Sequence, residues 1–174
     1  MEIDFIIALG RLLRDGSLRD AFAADPATVA AQMHLRRTDL PAFLQLIPDD
    51  LEFQARILLR KRFDLIRPLL PETTRRLSDQ GWTLFLDYGR ASWPTEPRAG
   101  LQDAFQFCQR LNQLTPEIVS KSEWNRLRFA LSEKHLAIRW HILESVRGKA
   151  RPMMQLFYRG RSPRWQELVF AFGL

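Results

Sequence analysis

The hydrophobic period of this chain changes near its C-terminal end, and that change constrains the fold more than any other feature. Upstream, apolar residues recur three or four apart, as on a helix face; over the last forty residues they alternate. Three segments carry the alternation: His135–Leu143 (HLAIRWHIL), Met153–Arg159 (MMQLFYR) and Trp165–Phe172 (WQELVFAF). Short basic turns separate them, Ser145-Val146-Arg147-Gly148-Lys149 and Gly160-Arg161-Ser162-Pro163. Turns this short predict an antiparallel meander with the first and last strands at its edges. So small a sheet cannot close on itself, so at least one edge keeps unpaired N–H and C=O groups. Such an edge is a docking site for an extended peptide. The expected class is α+β, a multi-helical N-terminal part followed by a small three-stranded antiparallel sheet.

Within the first strand, Leu136, Ile138, Trp140 and Ile142 share one face, and His135, Ala137, Arg139 and His141 share the other. This is the pattern of a half-buried strand. The last strand is apolar on both faces, with Leu168, Phe170 and Phe172 on one and Val169 and Ala171 on the other. The first strand, with its polar face and two imidazoles, is therefore the expected open edge. Its candidate peptide-binding residues are Ala137, Arg139, His141 and Leu143, with Arg139 and His141 supplying selectivity.

The preceding residues read as one helical domain, 1–134, with possible sub-boundaries near 48 and at 92–99; residues 135–174 form the sheet. Helices are expected over Ile3–Arg14, Leu18–Ala24, Pro26–Met33, Pro41–Ile47, Leu51–Ile66, Trp82–Ala91, Gly100–Asn112 and Pro116–Lys134, with a short one ending at Leu77. Their punctuation is chemical. Asp15-Gly16-Ser17 is a stop, Asp25-Pro26 a cap followed by a first-turn proline, and Thr38 or Asp39 the next cap. Pro48 and Arg67-Pro68 are breaks, and Gly81 is a separator. Ser92 to Pro97 is a proline-rich connector.

A hydrophobic content of 46% with 26% charged residues is that of an ordinary globular chain. No apolar run is long enough to span a bilayer. The opening MEIDFIIALGRLL places Glu2 and Asp4 where a signal peptide is basic, so it is not read as one. One cysteine, Cys108, leaves no internal disulfide framework, and the cytoplasm is the simplest compartment. His34, His135 and His141 are the only histidines, and none has metal-site spacing with another. His135 and His141 share a face but lie roughly 20 Å apart along a strand. There is no G-x-S-x-G elbow, G-x-G-x-x-G loop or Walker loop. Cys108 sits on an apolar helix face beside Phe105 and Leu111, and the Asp49/Asp50 pair suits helix capping. No catalytic, metal or cofactor site is expected in the chain itself.

The net charge of +6 permits an acidic partner. Arg56, Arg60, Lys61, Arg62 and Arg67 lie on or just past one helix, whose apolar side is expected to be Phe53, Ile57, Leu58, Phe63 and Leu65. Arg56, Arg60 and Arg67 are candidate partner-binding residues, as is Trp93, an aromatic before a proline. An alternative for the basic helix 51–67 is a nucleic-acid-binding regulator.

Three stretches together carry a resemblance: LGRLLRDGSLRDAFAADPATVAAQMHL, LEFQARILLRKRFDLIRPLLPETTRRL and WTLFLDYGRASWPTEPRAGLQDAFQFCQRL. The clearest marks are Leu69-Leu70-Pro71 after the basic helix, the W-P-x-x-P-R segment from Trp93 to Arg98, and D-A-F-x-F from Asp103 to Phe107. The chain resembles helper proteins from bacterial clusters that modify ribosomally made peptides, most of all the methanobactin-biosynthesis partner proteins (the MbnC family). The resemblance implies a non-catalytic subunit beside an iron-dependent TIM-barrel oxidase. In that family the heterodimer uses oxygen to convert cysteines of a precursor peptide into oxazolone–thioamide pairs, and the helper captures the precursor's leader. It implies iron in the partner and none in this chain; no membrane or nucleic-acid partner is expected.

Overall fold

The computed structural model describes residues 2–94, 98–144, 150–160 and 165–172, and at 143, 144, 150 and 151 the backbone only. The helices are α1 (Phe5–Arg14), α2 (Gly16–Ala24), α3 (Pro26–Gln32), α4 (Leu40–Leu44), α5 (Pro48–Ile66), α6 (Pro71–Leu77), α7 (Gln80–Ala91), α8 (Ala99–Leu114) and α9 (Lys121–Leu131). A 3-10 turn, Arg67–Leu69, joins α5 to α6. The strands β1 (Leu136–Glu144), β2 (Ala150–Arg159) and β3 (Trp165–Ala171) form an antiparallel sheet in the order β1-β2-β3. The α+β class and the meander are as expected.

The chain divides into two compact units, Met1–Leu65 with Asp79–Glu96, and Ile66–Ser78 with Pro97–Leu174. The sheet thus shares a unit with α6, α8 and α9, whereas the sequence reading drew its line at residue 134.

In the first unit, aspartates start the helices. Asp4 accepts from Ile7 N at 2.9 Å, Asp15 from Leu18 N at 3.1 Å, and Asp25 from Ala27 N and Thr28 N, both at 3.1 Å. Asp39 is the N-cap residue of α4, one of the two expected, but its side chain makes no capping bond there; its carboxylate accepts from Phe5 N at 3.0 Å, at the start of α1. Ala8, Leu12, Phe22, Val29, Ala30 and Phe43 form the core of this region. Pro48 opens α5 rather than breaking before it, the position where a missing N–H is harmless. Gly81 lies inside α7 and is buried there.

The inner side of α5 differs from the expected one. Leu51, Ala55, Leu59, Arg62, Phe63 and Ile66 are buried, while Phe53 and Leu65 are 62% and 69% exposed. Arg62 is the internal cation of the basic run. Its guanidinium lies 4.5 Å from the Trp93 ring centroid and 5.5 Å from that of Phe85, and donates to Ser92 O at 3.0 Å. Gly89 admits this packing of α5 on α7, since a Cβ there would meet Leu59 Cδ2 at 2.7 Å.

In the second unit, α6 has no cap from its own N-cap residue, Leu70. Glu123, buried on α9, supplies one. Its carboxylate accepts from Glu72 N, from Thr73 N at 2.9 Å and from Thr73 Oγ1 at 2.6 Å, while Thr73 Oγ1 accepts from Ser120 N at 3.0 Å. The expected helix Pro116–Lys134 is therefore shorter at both ends, as α9 begins only at Lys121, after a turn that buries Val119 and Ser120. Truncating Glu123 leaves these donors buried without an acceptor. Glu123→Ala is expected to lower unfolding stability by about 3 kcal/mol in a urea titration. The exposed control Glu133→Ala stays within about 0.5 kcal/mol.

Candidate peptide-binding sheet

The sheet's orientation is set by its central strand. Met153, Gln155 and Phe157 of β2 are buried, and register places them opposite His141, Arg139 and Ala137 of β1. On the β3 side the same face carries Trp165, Glu167, Val169 and Ala171. A hydrogen-bonded network fastens this face to α9. Gln155 Nε2 donates to Ser122 Oγ and to Glu167 Oε1, each at 2.7 Å, and Gln155 Oε1 accepts from Asn125 Nδ2 at 3.1 Å. Arg126 Nε donates to the other Glu167 oxygen at 2.8 Å. Beside the network, the Phe157 ring stacks on Phe129 at 5.2 Å. Arg159 donates to Phe129 O and Ala130 O, satisfying carbonyls at the end of α9.

The half-buried pattern of β1 is present, with the opposite face inward. Leu136, Ile138, Trp140 and Ile142 are 48–64% exposed, and Leu168, Phe170 and Phe172 are 42–45% exposed on the same side of the sheet. Trp140 stacks on Phe172 at 5.6 Å across this outer face. The reversal has a physical cause: the β2 network requires Gln155 inside, and pleat geometry then turns Ala137, Arg139 and His141 inward with it. An apolar sheet face this large, uncovered among the described residues, is the mark of an interaction surface.

Backbone parity identifies the groups at the β1 edge. Arg159 N donates to His135 O at 2.8 Å, which makes 135/159 a hydrogen-bonded pair. Antiparallel pairing alternates, so Ala137, Arg139, His141 and Leu143 also direct their N–H and C=O groups at β2. Leu136, Ile138, Trp140 and Ile142 direct theirs away from it. Phe172 N donates to Pro152 O at 3.0 Å, so by the same rule the outward groups of β3 belong to Trp165, Glu167, Val169 and Ala171. No strand among the described residues pairs with either outer edge.

The four expected peptide-binding residues therefore occupy one line of β1 without being its pairing groups. Ala137 and Arg139 are half-buried beside α9, and Arg139 Nη1 reaches round to donate to Ile138 O at 3.2 Å, an edge carbonyl. Both ring nitrogens of His141 are buried without a hydrogen-bond partner among the described residues. Leu143 continues the strand opposite Arg151, and its side chain lies outside the described residues. The pairing line, Leu136 to Ile142, was invisible in sequence because alternation gives the two faces but not which line faces the neighbour.

Of the expected partner-binding residues, Arg56 and Arg60 are exposed on α5 and Arg67 is exposed in the 3-10 turn after it. Arg60 lies 3.7 Å from Asp64 and over the Trp82 ring at 5.2 Å. Trp93 is half-buried, held under Arg62 and within 5.7 Å of Arg14. It lines an open pocket of ≈ 660 Å³ in the first unit, where Arg11, Arg14 and Arg90 are offset by Asp15, Asp20 and Asp87.

Cys108 is fully buried on α8, and burial, reinforced by the Glu123 charge, pushes its thiol up to about 12. Such a thiol is protonated at neutral pH and behaves as a small hydrophobe. No group of three or more histidine, cysteine or carboxylate side chains among the described residues is placed to hold a metal. No helix among them is long and apolar enough to cross a membrane.

Comparison with protein-family models, with curated proteins and with solved structures finds no match to this chain.

The His141 environment makes a pH prediction. Burial of the ring, aided by the nearby Lys121 charge and opposed by Glu167, holds its pKa below the ordinary imidazole value. The unfolded chain then binds a proton first as pH falls, starting near about 6.5. His141 thus contributes stability that is present above that pH and lost as pH falls through the lowered folded value. The denaturation midpoint is expected to drop between pH 7.5 and 5.5 in the parent protein, and to drop less in His141→Phe.

Proposed function

We propose that this chain is the non-catalytic, substrate-holding subunit of a heteromeric iron-dependent oxidase. Its sheet takes the leader of a ribosomally made precursor peptide, of the methanobactin type, as a fourth strand at β1. The cysteines that follow are thereby presented to the iron of a TIM-barrel partner, which converts them to oxazolone–thioamide groups. The reading rests on one observation, the line of outward N–H and C=O groups from Leu136 to Ile142 that has no strand beside it among the described residues. The resemblance of the helical segments to precursor-binding helpers supports it.

The chemistry asked of this chain is positioning. A leader held by backbone hydrogen bonds raises the effective concentration of its core cysteines at the partner's metal by linker geometry alone. Strand addition tolerates leader variation, because the main chain supplies most of the affinity and alternate side chains supply the choice. The partner is expected on surfaces that include Arg56, Arg60, Arg67 and Trp93, and the cytoplasm is the expected compartment.

Co-expression of the tagged chain with the products of the genes flanking its own tests the reading. The expected result is a purified complex of this chain, an iron-containing subunit and the precursor. Ile138→Pro removes an outward N–H without touching the β1–β2 ladder, so the fold survives. It is expected to release the precursor while retaining the oxidase, and Val169→Pro on the β3 edge retains both. DNA capture by the isolated chain, with an affinity falling steeply as salt rises, would replace this reading with a nucleic-acid regulator on α5.

A further inference from the structure

A small pocket opens beside the β1 edge, between the end of α9 and the inner side of the strand. Its volume is ≈ 130 Å³ and its lining includes Arg128, Lys134 and Arg139 with Asn125 and Ser132, over Phe129 and Phe157. The lining contains three cations and no carboxylate. No ion-pair partner of Arg128, Lys134 or Arg139 is found among the described residues. Arg139 spends one guanidinium N–H on Ile138 O, one of the carbonyls that a guest strand needs.

We infer that this pocket recognises an aspartate or glutamate side chain of a peptide added at β1. Residues directly opposite each other in a pair of strands project to the same face. A guest residue opposite Ala137 or Arg139 therefore points inward, toward the pocket, while its neighbours lie with the apolar outer face. The carboxylate draws the Arg139 guanidinium into a charge-assisted bond and frees Ile138 O for the guest N–H. Recognition of the acid and exposure of the edge acceptor are then one event. A peptide lacking the acid meets an edge partly covered by Arg139. The inference rests on strand addition at β1, and adds to it the side-chain class that is selected.

A phage-displayed library of random dodecapeptides, panned on the immobilised full chain, tests it. The expected winners carry Asp or Glu at one fixed position within an alternating apolar stretch. A C-terminally amidated synthetic winner, so made to remove its terminal carboxylate, is expected to lose on the order of tenfold in affinity when that acid becomes the amide. Arg139→Gln or Arg128→Gln is expected to produce a similar loss, and the two changes together to cost little more than one. Winners that Ile138→Pro abolishes but that show no acid preference overturn the pocket and leave strand addition standing. Winners indifferent to Ile138→Pro, or no winners, overturn both.

Discussion

The buried amide of Gln155 is the contact on which the arrangement of the sheet depends. It is a polar group at the middle of the central strand with no exposure, and burying it unsatisfied would be destabilising by some kcal/mol. Its hydrogen bonds with Ser122 Oγ, Asn125 and Glu167 fix which side of the sheet meets α9. Because side chains alternate strictly, that one choice settles the orientation of every strand residue. The apolar line of β1 then has to face outward, away from α9.

Two properties of the sheet follow together. Its outer face is apolar, with Trp140 and Phe172 stacked upon it, and its β1 edge offers backbone groups from those same apolar residues. A guest strand at this edge would hydrogen-bond to the backbone of Leu136 to Ile142 while extending the apolar surface. On the inner side it would meet a cationic pocket. The surface is thus amphipathic across its thickness, which suits a peptide that itself alternates acid and apolar side chains.

Much of the fold was legible in sequence. The three strands, their meander order and most helix starts follow from period and from aspartate or proline punctuation, because those signals are local. Pro48 and Gly81 were misplaced by a turn at a helix start, and the larger errors share another cause. Asp39, Glu123 and Gln155 each act on a residue more than twenty-five positions away, and no local pattern reveals such a partner. Met153-Gln155-Phe157 and Met154-Leu156-Tyr158 are nearly equal in polarity, so sequence does not say which face of β2 is inside. Arg62 illustrates the same limit: within a run of exposed cations it is the one folded inward, because Trp93 and Phe85 lie above it. Arg139 and His141 were legible as members of β1, but not that the face they share is the inner one, turned toward α9. Arg128 and Lys134, which join Arg139 at the pocket, lie outside the strand pattern and carried no signal of their own.

Amide hydrogen exchange across β1 tests the central claim most directly, read residue by residue in the free chain and again after addition of the proposed precursor peptide. The account predicts fast exchange at Leu136, Ile138, Trp140 and Ile142 in the free chain, slow exchange at Ala137, Arg139 and His141, and protection of the first four on binding. Equal protection along β1 in the free chain, or binding that leaves those four amides unchanged, would contradict it.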